Sequence, residues 1–308
     1  MSDVAIGVDV GGTKILALLL ERDGRVIDEV QVPTPRTAIP DQGAAIAQLV
    51  AEQARVLADR RGLNVSEVAL GVGLPGMFGR DGYLAFAPNL SSAVGLERAT
   101  FAAILDNDRV VVENDANCAA RAEREWGGAR DIADFMMVTI GTGIGGGFVH
   151  AGRLFAGEHG YAAEIGHMVV QANGVACPCG ASGCWERYAS GGALVRLARE
   201  HGARFTRPED VTNAAAMGDE EALALIDEFA WWLALGLANL VAVLDVAHFV
   251  IGGGFSVAAE VVLPRTRVHL DSLVEGASAR RAINVVPAAF GPRSGAMGAA
   301  LVGFEATS

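Results

Sequence analysis

The same local pattern occurs twice in the 308 residues, once at the start and once near the middle, and it limits the fold more than any other feature. Val4–Val10 is an apolar run that ends at Gly11-Gly12-Thr13-Lys14 and resumes as Ile15–Leu20; Asp23-Gly24 then turns into a third run, Arg25–Val32. Phe135–Ile140 likewise ends at Gly141-Thr142-Gly143-Ile144-Gly145-Gly146-Gly147, continues as Phe148–His150, turns at Ala151-Gly152 and reaches Arg153–Phe155. Apolar runs this short, broken by glycine turns, are strands joined by hairpins. Their recurrence points to two related halves.

After each set of strands the period lengthens. Helices are expected at about Asp41–Arg60, with Ile46, Leu49, Val50, Ala54 and Leu57 on one stripe, and at Leu96–Asn107, Gly191–His201, Asp219–Leu244, Ser256–Val268 and Gly295–Phe304. Strands are expected near Val68–Leu74, Arg109–Val112 and His248–Ile251. The chain therefore reads as α/β, with a small N-terminal lobe over 1–116 and a large C-terminal lobe over 117–293. A C-terminal helix, about 294–308, is expected to pack back on the first lobe.

Hydrophobic residues make up 51% and charged residues 19%, which fits an ordered globular enzyme rather than a disordered chain. The net charge of -12 repels phosphate backbones, so no nucleic-acid partner is expected. The N-terminus lacks a leader pattern. The most apolar stretch, Phe229–Ile251, is interrupted by Asn239, Asp245 and His248, so it reads as a core or interface helix and not as a membrane span. Trp231, Trp232 and Leu235 on that helix point to a homodimer. Of four cysteines, Cys177, Cys179 and Cys184 crowd together while Cys118 stands apart. That is a poor disulfide framework; it fits a metal site in a reducing compartment, the cytoplasm.

Gly141, Gly143 and Gly146 satisfy the dinucleotide-binding spacing G-x-G-x-x-G, but that fingerprint needs a helix directly after it, and here a strand follows. The Walker pattern is absent. Two glycine-rich turns facing each other from two lobes can still hold phosphates, because glycine admits an anion close to the backbone and successive N–H groups form a nest. Gly11, Gly12, Gly141, Gly143, Gly145 and Gly146 would supply the backbone, Thr13 and Thr142 hydroxyls, and Lys14 charge. Ordinary hairpins need two glycines; five in the seven residues Gly141–Gly147 exceed that need. Asp9, at the end of the first strand, could hold Mg²⁺ through water.

Glu113-Asn114-Asp115-Ala116-Asn117 follows a strand and precedes a helix. Asp115 in that place is either a helix cap or the carboxylate that accepts a proton from a hydroxyl undergoing phosphorylation. Glu164, His167 and Glu186 add two carboxylates and an imidazole farther along the chain. His167, Cys177, Cys179 and Cys184 together read either as the closed four-ligand set of a structural zinc or as buried thiols beside a histidine, C-x-C spacing being less usual for a metal than C-x₂-C.

Asp9-x-Gly-Gly-Thr-Lys14, the Gly141–Gly147 turn and the triple glycine Gly252–Gly254 resemble the ROK family of repressors, open-reading-frame proteins and sugar kinases, over essentially the whole chain. The resemblance implies a two-lobed hexokinase/actin-like (ribonuclease H-like) fold, with ATP and sugar in the interlobe cleft and Gly253 and Gly254 near the adenosine. It implies Asp115 as catalytic base, and a sugar cage of Asn114, Asp115, Glu164, His167 and Glu186, with Asn89 and Gly76 on the same wall. The family pattern Cys-x-Cys-Gly-x-x-Gly-Cys-x-Glu matches Cys177–Glu186 at every fixed position, and implies a zinc that fixes His167 and Glu186 against the sugar. The implied reaction is ATP-dependent phosphorylation of a hexose 6-hydroxyl. Glu164-Ile-Gly-His167-Met168 and Cys184-Trp-Glu186-x-Tyr188-Ala-Ser190-Gly191 are most similar to the glucokinase branch, while fructose, mannose, N-acetylglucosamine and N-acetylmannosamine kinases share the cage. The family's DNA-binding repressors need a helix-turn-helix ahead of the core, and the first strand here begins at Val4. A sugar sensor without catalysis would be expected to lose Asp115 or a glycine turn, and both are kept.

Overall fold

The structure, a computed structural model, describes residues 3–35, 42–88, 90 and 93–306. It opens with strands β1 (Val4–Val10), β2 (Lys14–Glu21) and β3 (Val26–Pro33), followed by helix α1 (Gln42–Asp59) and β4 (Ala69–Leu74). A small hairpin, β5 (Met77–Phe78) and β6 (Leu84–Phe86), leads to α2 (Arg98–Leu105), β7 (Val110–Asn114) and α3 (Asp115–Glu125). The second series is β8 (Phe135–Ile140), β9 (Ile144–His150) and β10 (Arg153–Leu154), then α4 (Glu186–Ala189), α5 (Gly191–Glu200), α6 (Pro208–Ala216) and α7 (Glu220–Leu244). It closes with β11 (His248–Gly252), α8 (Ala259–Leu273), β12 (Asn284–Pro287) and α9 (Ser294–Ala306). The expected helix start at Asp41 lies outside the described residues.

Two sheets repeat one topology. The first runs β3-β2-β1-β4-β7 and the second β10-β9-β8-β11-β12. Numbered within its own half, each is 3-2-1-4-5. In the first, β1–β2 and β2–β3 are antiparallel, while β1–β4 and β4–β7 are parallel. In the second, β9–β10 is antiparallel and β8–β11 and β11–β12 are parallel. This is the ribonuclease H-like arrangement of the hexokinase/actin fold, reached twice. Burial follows strand position. The central β4 is buried at every residue, as a parallel strand covered on both faces must be, whereas the edge strand β3 alternates towards solvent.

The described residues within 1–131, 147–163 and 292–308 form one compact unit, and those within 132–146 and 164–291 a second. The division therefore differs from a cut at residue 116. Helix α3 and the segment around β10 pack in the first unit, because Gly147 lies under Ala116 and Ala120 of α3, and α3 in turn lies along α9.

Helix α9 is the keystone of the first unit. It packs on β1, β4 and α3 at backbone distance, and glycines make this possible. A methyl at Gly7 would overlap Ala296 and Ala300, one at Gly71 would overlap the Ala299 carbonyl, and one at Gly298 would overlap the Cys118 carbonyl. In the second unit α7 is long and apolar enough to cross a membrane by length and composition, but more than half of its most apolar window is buried, as in a core helix. Of its aromatic pair, Trp231 is exposed at 36% while Trp232 packs with its ring centroid 4.4 Å from that of Tyr188.

Gly71→Ala should lower the free energy of unfolding by about 1–3 kcal/mol, the scale of an overpacked core. Urea denaturation followed by circular dichroism measures it. An unchanged midpoint at unchanged slope would contradict the close approach of α9.

Candidate functional site

In the first unit the parallel strands β1, β4 and β7 present their C-terminal ends along one edge. Asp9 pairs in register with Gly73, and Gly73 with Glu113, so the three residues form one row. Gly73 leaves room between acids: a methyl there would stand 3.7 Å from Asp9 Oδ1 and 3.4 Å from the Asp115 Cα. On the other side Gly295 of α9 approaches Asp9 so closely that a methyl would lie 2.7 Å from its Cγ.

Asp115 is not the cap of the helix that it begins. Asn114 is the N-cap of α3, its Oδ1 accepting from the Asn117 N–H at 2.9 Å. Asn114 Nδ2 donates to the Gly76 carbonyl at 3.0 Å, and Glu113 Oε1 accepts from the Asn114 N–H at 2.9 Å and from Asn117 Nδ2 at 3.1 Å. Asp115 is thereby relieved of capping, and one of its oxygens accepts from the Ala116 N–H at 2.8 Å. Burial pushes its carboxyl up to about 6, against the lowering effect of that N–H. Burial and then the Asp115 charge push Asp9 up to about 8, opposed by Lys14. Gly76, at φ +127°, holds a turn that a side chain would resist, with a methyl 2.5 Å from the Phe86 carbonyl. Asn89 lies outside the described residues.

The first glycine turn is closed by the Gly11 N–H donating to the Lys14 carbonyl at 2.9 Å, and it is braced by Thr34, whose hydroxyl donates to the Gly11 carbonyl at 2.6 Å. Gly12 is half-buried and Thr13 exposed; Lys14 already belongs to β2, where its Nζ donates to Gln31 Oε1 at 3.1 Å. In the second unit the Gly141 N–H donates to the Gly143 carbonyl at 3.0 Å. None of Gly141, Gly143, Gly145 and Gly146 has a positive φ, so handedness does not demand glycine there. Gly141 faces open space, where a methyl would meet no atom within 4 Å, and the exposed Thr142 sits beside it. Gly145 and Gly146 lie within β9, which starts earlier than the sequence indicates.

Two further glycine segments meet this turn. The Gly191 N–H donates to the Gly141 carbonyl at 2.9 Å, and a methyl on Gly192 would lie 3.7 Å from the Thr142 carbonyl. Gly253, at φ +77°, passes so close to β8 that a methyl would lie 2.5 Å from the Ile140 carbonyl, while Gly254 faces open space. Sequence reasoning missed Gly191 and Gly192. The signal was Ser190, the N-cap of α5, whose hydroxyl accepts from the Ala193 N–H at 3.2 Å. The start of that helix places partial positive charge beside the turn, which suits a phosphate.

Also in the second unit, Glu164 is half-buried and begins the turn Ile165–His167, its carbonyl accepting from the His167 N–H at 3.1 Å. The ligand atoms of His167, Cys177, Cys179 and Cys184 all lie within 4.8 Å of one another. His167 Nδ1 is 3.7 Å from Cys177 Sγ, and the Cys179 and Cys184 sulfurs are 3.6 Å apart. Tetrahedral zinc with Zn–S of about 2.3 Å holds its sulfurs roughly 3.8 Å apart, so the donors fit. The other histidine nitrogen, Nε2, is left for a second partner. Glu186 is 5% exposed and accepts a hydrogen bond from the Cys177 thiol at 3.1 Å. Burial pushes the Cys177 thiol up, and the Glu186 contact adds to this, the opposite of what a bare thiolate needs and what a cation would reverse.

The ROK family model matches residues 5–304. The chain is 37% identical to a glucokinase of Streptomyces coelicolor, with 96% of each chain covered. It is 33% identical to an N-acetyl-D-glucosamine kinase of Salmonella gallinarum, over 81% of this chain and 84% of that one. A solved ROK family glucokinase of Streptomyces griseus, in complex with glucose and AMPPNP, is 33% identical and superposes with a TM-score of 0.89, covering 98% of this chain and 99% of the other.

Proposed function

The chain belongs to the ROK family, and from that premise we propose that it is a glucokinase, transferring the γ-phosphate of ATP to the 6-hydroxyl of glucose. The observation that carries the proposal is Asp115: a carboxylate at a strand end, freed from capping by Asn114 and held near pKa 6 by burial. Such a group is ionised at neutral pH yet basic enough to take a hydroxyl proton. It accepts the proton of the 6-hydroxyl as that oxygen attacks the γ-phosphorus, and ADP leaves in line. To Asn114, Glu164, His167 and Glu186, together with Asn89 and Gly76, we assign the remaining hydroxyls. Through its Nε2, His167 can bind sugar while its Nδ1 serves a metal.

The N–H groups of Gly11, Gly12 and Thr13, and those of Gly141, Thr142, Gly143, Gly145 and Gly146, hold phosphates, with Lys14 adding charge and Gly253 and Gly254 admitting the adenosine. Asp9 would hold Mg²⁺ through water; burial and then the Asp115 charge raise its pKa to about 8, and a cation there would offset both. Mg²⁺, when bound, neutralises charge on the phosphates. Zinc on His167, Cys177, Cys179 and Cys184 is structural, because four protein ligands leave no position for water. The protein works in the cytoplasm as a homodimer, for which Trp231 and Val243, the latter 78% exposed, supply apolar surface on α7.

An ADP-release assay across a hexose panel with ATP tests the substrate. Glucose should give the highest kcat/KM, since a cage of carboxylates, amide and imidazole offers an acetyl methyl few apolar contacts. An N-acetylhexosamine or fructose above glucose would overturn the glucose assignment and leave the kinase. Asp115→Asn should lower kcat by roughly 10²- to 10⁴-fold. Because the ionised form is the base, wild-type kcat/KM should fall about tenfold per pH unit below pH 6, whereas the Asn variant should be flat there. Near-wild-type turnover in a folded variant would remove Asp115 from the reaction. Elemental analysis should find one zinc per chain, and Cys184→Ser should lower zinc content, Tm and activity together. Full activity with well under half an equivalent of zinc would reject the site.

A further inference from the structure

Trp185 stands between a zinc-ligand candidate, Cys184, and a sugar-ligand candidate, Glu186, and is fully buried. Its indole lies flat against α7 at Gly236, where any methyl would overlap the ring atoms Cε2, Cδ2 and Cζ2. The indole Nε1 donates to the Trp232 carbonyl on the preceding turn of α7 at 2.8 Å. The Trp185 N–H donates to the Met168 carbonyl, next to His167, also at 2.8 Å. One turn on, Tyr188 packs on the Trp232 ring, and its hydroxyl accepts from the Val175 N–H at 2.7 Å, just ahead of the cysteines. Helix α4, which begins at Glu186, is only four residues long and has little rigidity of its own. Its direction is set by these aromatic contacts.

We propose that Trp185 and the Gly236 notch of α7 form a key and socket that position the Glu186 carboxylate for the sugar, separately from the metal. Trp185 is a positioning residue: it touches neither sugar nor nucleotide and acts through Glu186. The proposal rests on the reading of Glu186 as a sugar ligand. Trp185→Phe removes the Nε1 donor and the second ring but keeps an aromatic group. Gly236→Ala pushes the indole out of its socket. The second change in a Trp185→Phe background should cost less than it does alone, because the smaller phenyl lacks the outer part of the indole, Cζ2 included, that the methyl would strike.

Kinetics with glucose and ATP varied separately, together with zinc analysis, test this. Each single variant should raise the KM for glucose by about 10- to 100-fold, the scale of a misplaced ligand-binding group. The KM for ATP should stay within about twofold of wild type, and zinc content should be that of wild type, which a general loss of structure would not leave intact. Glu186→Gln is the reference. If it raises the glucose KM and folded Trp185→Phe does not, the positioning role is overturned while Glu186 stands. If Glu186→Gln leaves the glucose KM unchanged, the sugar reading fails and this proposal with it. Equal rises in both KM values, or loss of zinc in Trp185→Phe, would also overturn it. Should Gly236→Ala fail to fold, Trp185→Phe alone decides.

Discussion

The order of the first unit depends on α9 lying so close to β1, β4 and α3 that no side chain fits between their backbones. Gly7 and Gly71 on the sheet and Gly298 on the helix remove the atoms that would hold them apart. A contact at this distance has no slack: sliding α9 by one residue would drive alanine methyls into carbonyl groups. The helix is also pinned at its start, where Ser294 donates to Glu123 Oε1 at 2.9 Å in a buried setting. Glu123 lies on α3, so α3 and α9 are registered to each other by packing and by a bond whose loss would strand buried polar groups. Asp9 on β1 and Asp115 on α3 are the ends of this chain of contacts. Their separation is a property of the packed helices, not of the loops beside them.

That placement sets their electrostatics. Asp115 sits in the first turn of a helix and receives a backbone N–H, two influences that favour the charged form. Burial outweighs both, and the carboxyl ends near 6. Had Asp115 been the cap, more N–H groups would have turned towards it and held the pKa low, leaving a weak base. Giving the cap to Asn114, with Glu113 bracing Asn114 and Asn117 from behind, keeps the acid basic without distorting the helix start. Asp9 goes further, to about 8, since the Asp115 charge adds to burial and Lys14 offsets only part of it. Two buried acids this close resist being charged together.

Much of this was legible in the residues, and the exceptions have physical reasons. The repeated strand-turn-strand pattern gave the first three strands of each sheet, because β1, β2 and β8 are apolar runs set off by glycine turns. The cysteine knot was legible because few chemistries need three thiols and an imidazole within eighteen residues. The roles of individual glycines were not. Gly147 looks like part of the phosphate turn, yet it is spent on packing against Ala116 and Ala120, and only the fold reveals that neighbour. Gly191 and Gly192 look like a helix start and prove to lie beside the turn at Gly141. Helix α6 and strand β12 were missed: one follows a proline at its first turn, and the other is four residues whose partner β11 is distant in sequence. The boundary near residue 116 overlooked α3, because nothing local says which core an alanine-rich helix joins.

In the second unit a different balance operates. A glycine in the interior of α7 costs about 1 kcal/mol relative to alanine. A buried tryptophan removes some 150–250 Å² from water, and at about 25 cal/mol per Å² this contributes roughly 4–6 kcal/mol. The notch at Gly236 is thus favourable only because Trp185 fills it. The same residue ties the cysteine loop to the His167 segment through the main chain, and the Gly183 N–H donates to the Val175 carbonyl at 2.9 Å while the Val170 N–H donates to the Gly183 carbonyl at 2.9 Å. The loop is therefore shaped by its own hydrogen bonds and by packing on α7. The gathering of four donor atoms within 4.8 Å of one another, with Glu186 against the Cys177 thiol, follows from these contacts and from the turns around Gly180 and Gly183.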